Sequence, residues 1–217
     1  MRHGAGFAAL LRLLVVGCVA VTALPAASQA VVVDFEAFDG MDYGSGQPIP
    51  DAARLSDELA ATDGVLFSSG AEYVAVVNLG IGHATSGTNG IGGSTPNGIL
   101  TYDRQWPVVF TFIDPQDPEA PAVTDFVSVR GDLWGTSGME VILNAYDVNG
   151  VLVDSDQALD SGGETLIVAG PGIHRVEFLG THDVDGVGLD DLTFNPVVPL
   201  PSPVESQTWG RVKALYH

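Results

Sequence analysis

The sequence predicts an all-β protein: a two-sheet antiparallel β-sandwich of the jelly-roll kind, with at most one short helix. Three observations predict it. Beyond residue 30 the chain is rich in Val, Gly, Asp and Thr and poor in Lys and Glu, a mixture that disfavours helix. Short apolar or alternating runs recur between turn signals, which is the all-β signature. The segment Asp147-Val148-Asn149-Gly150 joins two such runs, and Asn-Gly favours the left-handed dihedrals of a tight hairpin.

The first 30 residues stand apart and read as a cleavable secretory signal. Arg2 and Arg12 supply its positive end, Leu13 to Leu24 is an almost unbroken apolar run, and Ser28-Gln29-Ala30 places small residues where a signal peptidase reads them. The run falls short of the roughly 20 apolar residues that a membrane span needs, so no integral span is expected after cleavage. A lipoprotein is the rival reading, because Val15-Val16-Gly17-Cys18 fits a bacterial lipobox. Cys18 is the chain's single cysteine. No disulfide can form within the remaining chain, so the fold needs another staple or a good core.

Residues 31–196 form the expected sandwich domain, and 197–217 a proline-rich linker with a short tail. Strands are expected near Val31–Phe35, Val65–Ser68, Tyr73–Asn78, Ile99–Tyr102, Val108–Ile113, Phe126–Arg130, Glu140–Tyr146, Leu152–Ser155, Thr165–Val168, His174–Leu179 and Leu189–Phe194. About ten strands over about 165 residues suit two packed sheets. Leu55 and Leu59, four apart in Ala52 to Thr62, mark a short helix or an irregular crossing. Gly80 to Gly98, made largely of Gly, Ser, Thr and Asn, and the proline-bearing Asp114 to Thr124 read as long loops. In the tail, Trp209, Val212, Leu215 and Tyr216 would put an apolar stripe on a short helix.

Charge narrows the partners. The formal net charge is −19, and no acid precedes Asp34, so loss of the leader with its two arginines makes the balance more negative. Such a chain repels nucleic acid and anionic lipid. Excess carboxylate in an exported domain also invites calcium, a hard cation that takes oxygen ligands. The candidate ligands are Asp34 and Glu36 in the first strand and Asp190 and Asp191 in the last. Alternation puts Val33 and Phe35 on one face and Asp34 and Glu36 on the other. It also places Asp190 on the face of Leu192 and Phe194, where a carboxylate must be paired or metal-bound. First and last strands are neighbours in jelly rolls, so one calcium ion could tie both ends.

The opening Asp34-Phe35-Glu36 and the closing Leu189-Asp190-Asp191-Leu192-Thr193-Phe194 resemble the terminal strands of MAM-type and carbohydrate-binding-module jelly rolls. That resemblance implies a structural calcium held by acids from both ends. A MAM domain would also have cysteines, which the domain lacks. The middle, with Gly64-Val65-Leu66-Phe67-Ser68-Ser69, Asn144-Ala145-Tyr146-Asp147 and Arg175-Val176-Glu177-Phe178, is similar to uncharacterised bacterial secreted domains. Those often carry a PEP-type sorting signal, which Val198-Pro199-Leu200-Pro201-Ser202-Pro203 echoes. No hydrophobic helix or terminal arginine cluster follows. The resemblance implies a sandwich and export, and no activity.

Other constellations carry bland readings beside sharp ones. Asp183-Val184-Asp185-Gly186 reads as an acidic turn or a partial calcium loop; its glycine stands fourth, where an EF-hand loop wants it sixth. His83, His174 and His182 lack zinc spacing, and no Gly-x-Ser-x-Gly elbow occurs. Arg130-Gly131-Asp132 reads as a strand end and turn. Trp106 precedes Pro107 at a strand start and reads as packing. Trp134, in a Gly-rich turn, is either a stacking platform for a sugar face or a lid folded onto the core.

The expected function is a secreted, non-catalytic binding module with extracellular glycan as the leading ligand. One alternative is a structural, cell-surface or matrix protein whose partner is another protein; a second is a secreted hydrolase. Glycan binding predicts a solvent-facing Trp or Tyr beside a groove. A structural role predicts an exposed edge or apolar patch, and a hydrolase predicts titratable groups converging in a pocket.

Overall fold

A computed structural model describes residues 29–80, 84–102, 104–131, 140–159, 163–180 and 188–201. The first strands are β1 (Val31–Val33), β2 (Met41–Asp42), β3 (Arg54–Leu55), β4 (Val65–Ser68), β5 (Val74–Asn78), β6 (Asn89–Ser94) and β7 (Leu100–Thr101). Then come β8 (Val108–Asp114), β9 (Asp117–Gly131), β10 (Glu140–Tyr146), β11 (Leu152–Leu159), β12 (Glu164–Ile173), β13 (Arg175–Gly180), β14 (Leu189–Phe194) and β15 (Val198–Pro199). A front sheet runs β4-β8-β13-β10-β11, all antiparallel. A back sheet runs β12-β9-β14-β6-β5, with β1 beside β14 and β2 and β3 beside β5. The β8–β9 hairpin forms a corner between them.

The core lies between the sheets and is built by strict alternation. Phe110 and Phe112 of β8, Leu143 and Ala145 of β10, and Val176 and Phe178 of β13 point inward from the front sheet. Val127 and Val129 of β9, Leu166 and Val168 of β12, and Leu192 and Phe194 of β14 meet them from the back. Rings interlock across the space: Phe35 on Phe67 at 6.0 Å, Phe67 on Phe110 at 5.5 Å, and Phe112 on Phe194 at 5.1 Å between centroids. Each such side chain, fully buried, contributes about 1.5–3 kcal/mol. This core answers the lack of disulfides.

A second apolar cluster covers part of the outer face of the back sheet. Strand β5 is buried on both sides: Val74 and Val76 join the main core, while Ala75 and Val77 face outward under Met41, Ile49, Ala53, Leu100 and Tyr102. The segment expected as one helix or a crossing supplies some of this cover. It is a crossing made of a 3-10 turn (Asp51–Ala53), β3, and the four-residue helix α1 (Ala60–Asp63).

Three expectations need correction. Gly80 to Gly98 is not all loop, because it contains β6, buried at every position. Its glycines are steric: a Cβ on Gly92 would lie 2.7 Å from the Tyr102 ring, and one on Gly93 2.5 Å from the Trp106 carbonyl. Asp114 to Thr124 is a hairpin corner, with Pro118 and Pro121 on β9. Val198–Pro199 is a short strand on β9, so ladder pairing extends past residue 196. The Asn-Gly hairpin is present, with a different turn. Gly150 N–H donates to the Asp147 carbonyl at 3.0 Å, and only Gly150 takes a positive φ, of 78°. This is a type I turn closed by a left-handed glycine.

Candidate functional site

Two places gather polar side chains by design of the strands. The first is the outer face of the front sheet. Because the even positions of β8 and β13 and the odd positions of β10 fill the core, the alternate positions face out: Val109 and Thr111, Arg175 and Glu177, Asn144 and Tyr146. Register aligns them in rows, Thr111–Arg175–Tyr146–Leu152 and Val109–Glu177–Asn144–Ser155. The Arg175 guanidinium lies over the Tyr146 ring at 4.6 Å and pairs with the Glu177 carboxylate. Ser155 Oγ donates to Asn144 Oδ1 at 2.7 Å. Burial pushes the Tyr146 phenol above its ordinary range, and the neighbouring Glu177 carboxylate adds to the rise. The result is a fixed aromatic ring flanked by hydrogen-bonding groups on an open face.

The second place brings together the segment after β1 and the start of β14. Asp190 is 0% exposed, yet it does not share the face of Leu192 and Phe194. A bulge between Asp190 and Thr193 inserts one residue opposite β9, and Asp191 takes φ 49°. The phase therefore slips: Leu189 turns into the core, while Asp190 faces outward beneath the loop 84–89. Backbone N–H groups of Thr85 and Ser86 donate to its Oδ2, each at 2.9 Å, and that of Asp191 to Oδ1 at 2.7 Å. Burial pushes this carboxyl up, and the hydrogen bonds from Ser86 and Asp191 pull against that rise. Val33 and Phe35 do face the core as expected. Glu36 Oε1 accepts from Thr88 N–H at 2.8 Å and Asn89 N–H at 2.6 Å. Asp34 Oδ1 takes the Glu36 N–H at 3.2 Å.

Two of the four candidate calcium ligands, Glu36 and Asp190, thus meet one loop, and the backbone groups that reach them there are N–H donors; the Asp34 carboxylate accepts from the Glu36 N–H instead. The donor set fits a calcium ion poorly. That ion needs six to eight oxygens, whereas hydrogens from three backbone amides and the Ser86 hydroxyl already face the Asp190 oxygens. Among the described residues, no group of three or more His, Cys, Asp or Glu is placed to hold a metal.

The remaining residues singled out by sequence fall into two sets. His174 Nδ1 lies 2.9 Å from the Ala122 carbonyl, in the packing between β13 and β9. Trp106 is half-buried, and its carbonyl accepts from Ser69 Oγ at 3.2 Å. Arg130 and Gly131 close β9. Cys18, His83, Asp132, Trp134, His182, the 183–186 turn and the tail from 202 lie outside the described residues. Sequence reasoning did not single out Tyr146, Arg175 or Glu177. Their signal was the alternation Arg175-Val176-Glu177-Phe178 read against Asn144-Ala145-Tyr146.

No family model and no curated protein matches this sequence. Several solved structures align with part of it. The C-terminal family 22 carbohydrate binding module of Clostridium thermocellum Xyn10B matches with 13% identity and a TM-score of 0.39, over 70% of this chain and 99% of that one. A DUF4465 family protein from Bacteroides caccae matches with 13% identity and a TM-score of 0.44, over 77% and 99%. An arabinose-bound MgGH51 α-L-arabinofuranosidase matches with 10% identity and a TM-score of 0.35, over 70% of this chain and 26% of that one. Nothing in these matches is particular to MAM domains or PEP-type sorting signals.

Proposed function

We propose that this protein is an exported, non-catalytic binding module whose ligand is a neutral extracellular glycan, held on the outer face of the front sheet. One observation carries the reading: Tyr146 stands on that face, gripped by Arg175 and ringed by Glu177, Asn144 and Ser155. An aromatic ring offers an apolar sugar face area at little entropic cost. The polar neighbours can hydrogen-bond hydroxyls, as a few well-placed groups do in small-molecule sites. Neutrality follows from charge. Arg175 is the one basic residue in these rows and is already paired, while the chain as a whole is strongly acidic, so a polyanion would be repelled.

The other readings find less support. A shallow groove of about 680 Å³ lies elsewhere, lined by residues including Thr124, Asp125, Pro171, Asn195 and Val198. Its one ionisable lining group, Asp125, accepts from Asn195 Nδ2 at 2.8 Å, so titratable groups do not converge there as a hydrolase requires. A strand-addition surface is also disfavoured at the sheet edge formed by β12. Asp156 Oδ2 takes the Ile167 N–H and Asp154 Oδ2 the Ala169 N–H, both at 2.8 Å, which blunts that edge. Protein binding retains one favourable feature, the exposed Val148, Val151 and Leu152 at the β10–β11 turn.

Affinity electrophoresis in gels containing neutral and anionic polysaccharides tests the proposal. Retardation by a neutral glycan, weakened about tenfold or more in Tyr146→Ala with an unchanged melt, is expected; a factor of ten corresponds to about 1.4 kcal/mol. Migration unaffected by every neutral glycan would end this reading.

A further inference from the structure

We propose that the segment following β1 and strand β14 are fastened by a cation-free clasp, in which backbone N–H groups of the loop 84–89 stand where a structural ion would otherwise be needed. The inference is independent of the ligand reading. Two carboxylates, one from each end of the domain, are each met by a pair of consecutive loop amides. Thr85 and Ser86 serve Asp190, and Thr88 and Asn89 serve Glu36, at 2.6–2.9 Å. Successive N–H groups turned to one side form a concavity for anions, and hydrogen bonds to an ionised acceptor are roughly twice as strong as neutral ones.

The loop is shaped around these acids. Gly87 sits between the two amide pairs with φ 64°, and a Cβ there would lie 2.2 Å from the Glu36 Cδ. Ser86 Oγ lies 3.0 and 3.1 Å from the two Asp190 oxygens and 3.3 Å from the Asp34 carbonyl, so it touches both β14 and the residue that follows β1. Asn89 adds Nδ2 bonds to the Phe38 and Phe35 carbonyls at 2.9 and 3.4 Å. Phe35 and Asp191, each beside one of the acids, take φ values of 59° and 49°. Such left-handed residues persist only where surrounding contacts over-determine them. The positive ends of the N–H dipoles point at the carboxylates, so a cation placed against the same oxygens would be repelled.

Thermal melts of the exported protein in millimolar calcium and in excess chelator separate the two ways of tying the ends. The clasp predicts the same midpoint in both buffers. Asp190→Ala strands buried amides and should lower the midpoint by about 5 °C or more in both. Glu36→Gln keeps a carbonyl acceptor for the Thr88 and Asn89 amides, so it should lose much less than Glu36→Ala. Gly87→Ala, which collides with Glu36, should fall with Glu36→Ala. Should Asp190→Ala fail to fold, Ser86→Ala and the Glu36 pair carry the test. A calcium-dependent rise of several degrees that vanishes in Glu36→Gln would overturn the clasp, as would equal losses in Glu36→Gln and Glu36→Ala.

Discussion

The two sheets present opposite outer faces. On the front sheet, β13 alternates Arg175, Val176, Glu177, Phe178, and only the even positions are buried. On the back sheet, β5 runs Val74, Ala75, Val76, Val77 with every one buried. One face is therefore left for water or a ligand, and the other is roofed by its own chain. Each holds a tyrosine. Tyr146 is half-buried and lies against Arg175, whereas Tyr102 is 4% exposed, beneath the second cluster, with a hydroxyl that has no hydrogen-bond partner among the described residues. The contrast shows that an open face is recognised by alternation, and a roofed one by its loss.

The sharpest way to break that contrast is to cut one side chain from each face. Leu100 is fully buried in the roof. Leu100→Ala should cost about 2–5 kcal/mol in a denaturant titration, through lost burial and the cavity left behind. Thr111→Ala, on the open face, should stay within about 0.5 kcal/mol of the parent. Equal losses would mean that the front face is as heavily covered as the back.

The tyrosines sharpen the same point with a smaller effect of opposite sign. A buried hydroxyl without a partner carries its desolvation cost uncompensated. Tyr102→Phe keeps the ring, which stacks on Tyr43 at 5.7 Å, and removes that cost. A gain of about 1 kcal/mol is expected, read as a raised melting temperature. Burial also pushes the Tyr102 phenol upward, with Tyr43 adding to it, so the gain should not vary between acid and neutral pH. A loss of stability would show that the hydroxyl is bonded after all.

What was legible in the sequence divides along the same line. The front sheet could be read nearly strand by strand, because one face is open and the period-two pattern survives: Val65–Ser68 and Glu140–Tyr146 fall where expected. Strand β6 could not be read, because it is buried at every position and side chains are excluded at Gly92 and Gly93. Its composition is that of a loop. Of the terminal acids picked out by type and position, Glu36 and Asp190 meet around one loop. What the pattern hid was the bulge at Asp191, which slips the phase so that Asp190 leaves the core face. It also hid the amides that receive the acids, since a backbone donor leaves no mark on composition.

Two aspartates, one on each sheet, allow a final and finer comparison. Asp147 follows β10, and its Oδ1 takes the Val151 N–H at 2.8 Å and the Asn149 N–H at 2.9 Å. The Val151 amide is the main reason that its carboxyl lies below the usual range. A depressed carboxyl adds stability above its unfolded value, about pH 3.9, and that contribution disappears as pH falls through the lower folded value. Asp190, raised by burial, has the opposite sign: its ionised form is the disfavoured one, so its own contribution improves as pH falls. Asp147→Asn keeps a carbonyl acceptor and removes the charge. At neutral pH it should melt slightly below the parent, and the gap should close as the pH drops below about 3.9, where the parent also loses its charge. Melts of both proteins across that range check the sign. A gap that stays constant with pH would show that the charge of Asp147 adds nothing to the turn, leaving Gly150 to hold the hairpin alone.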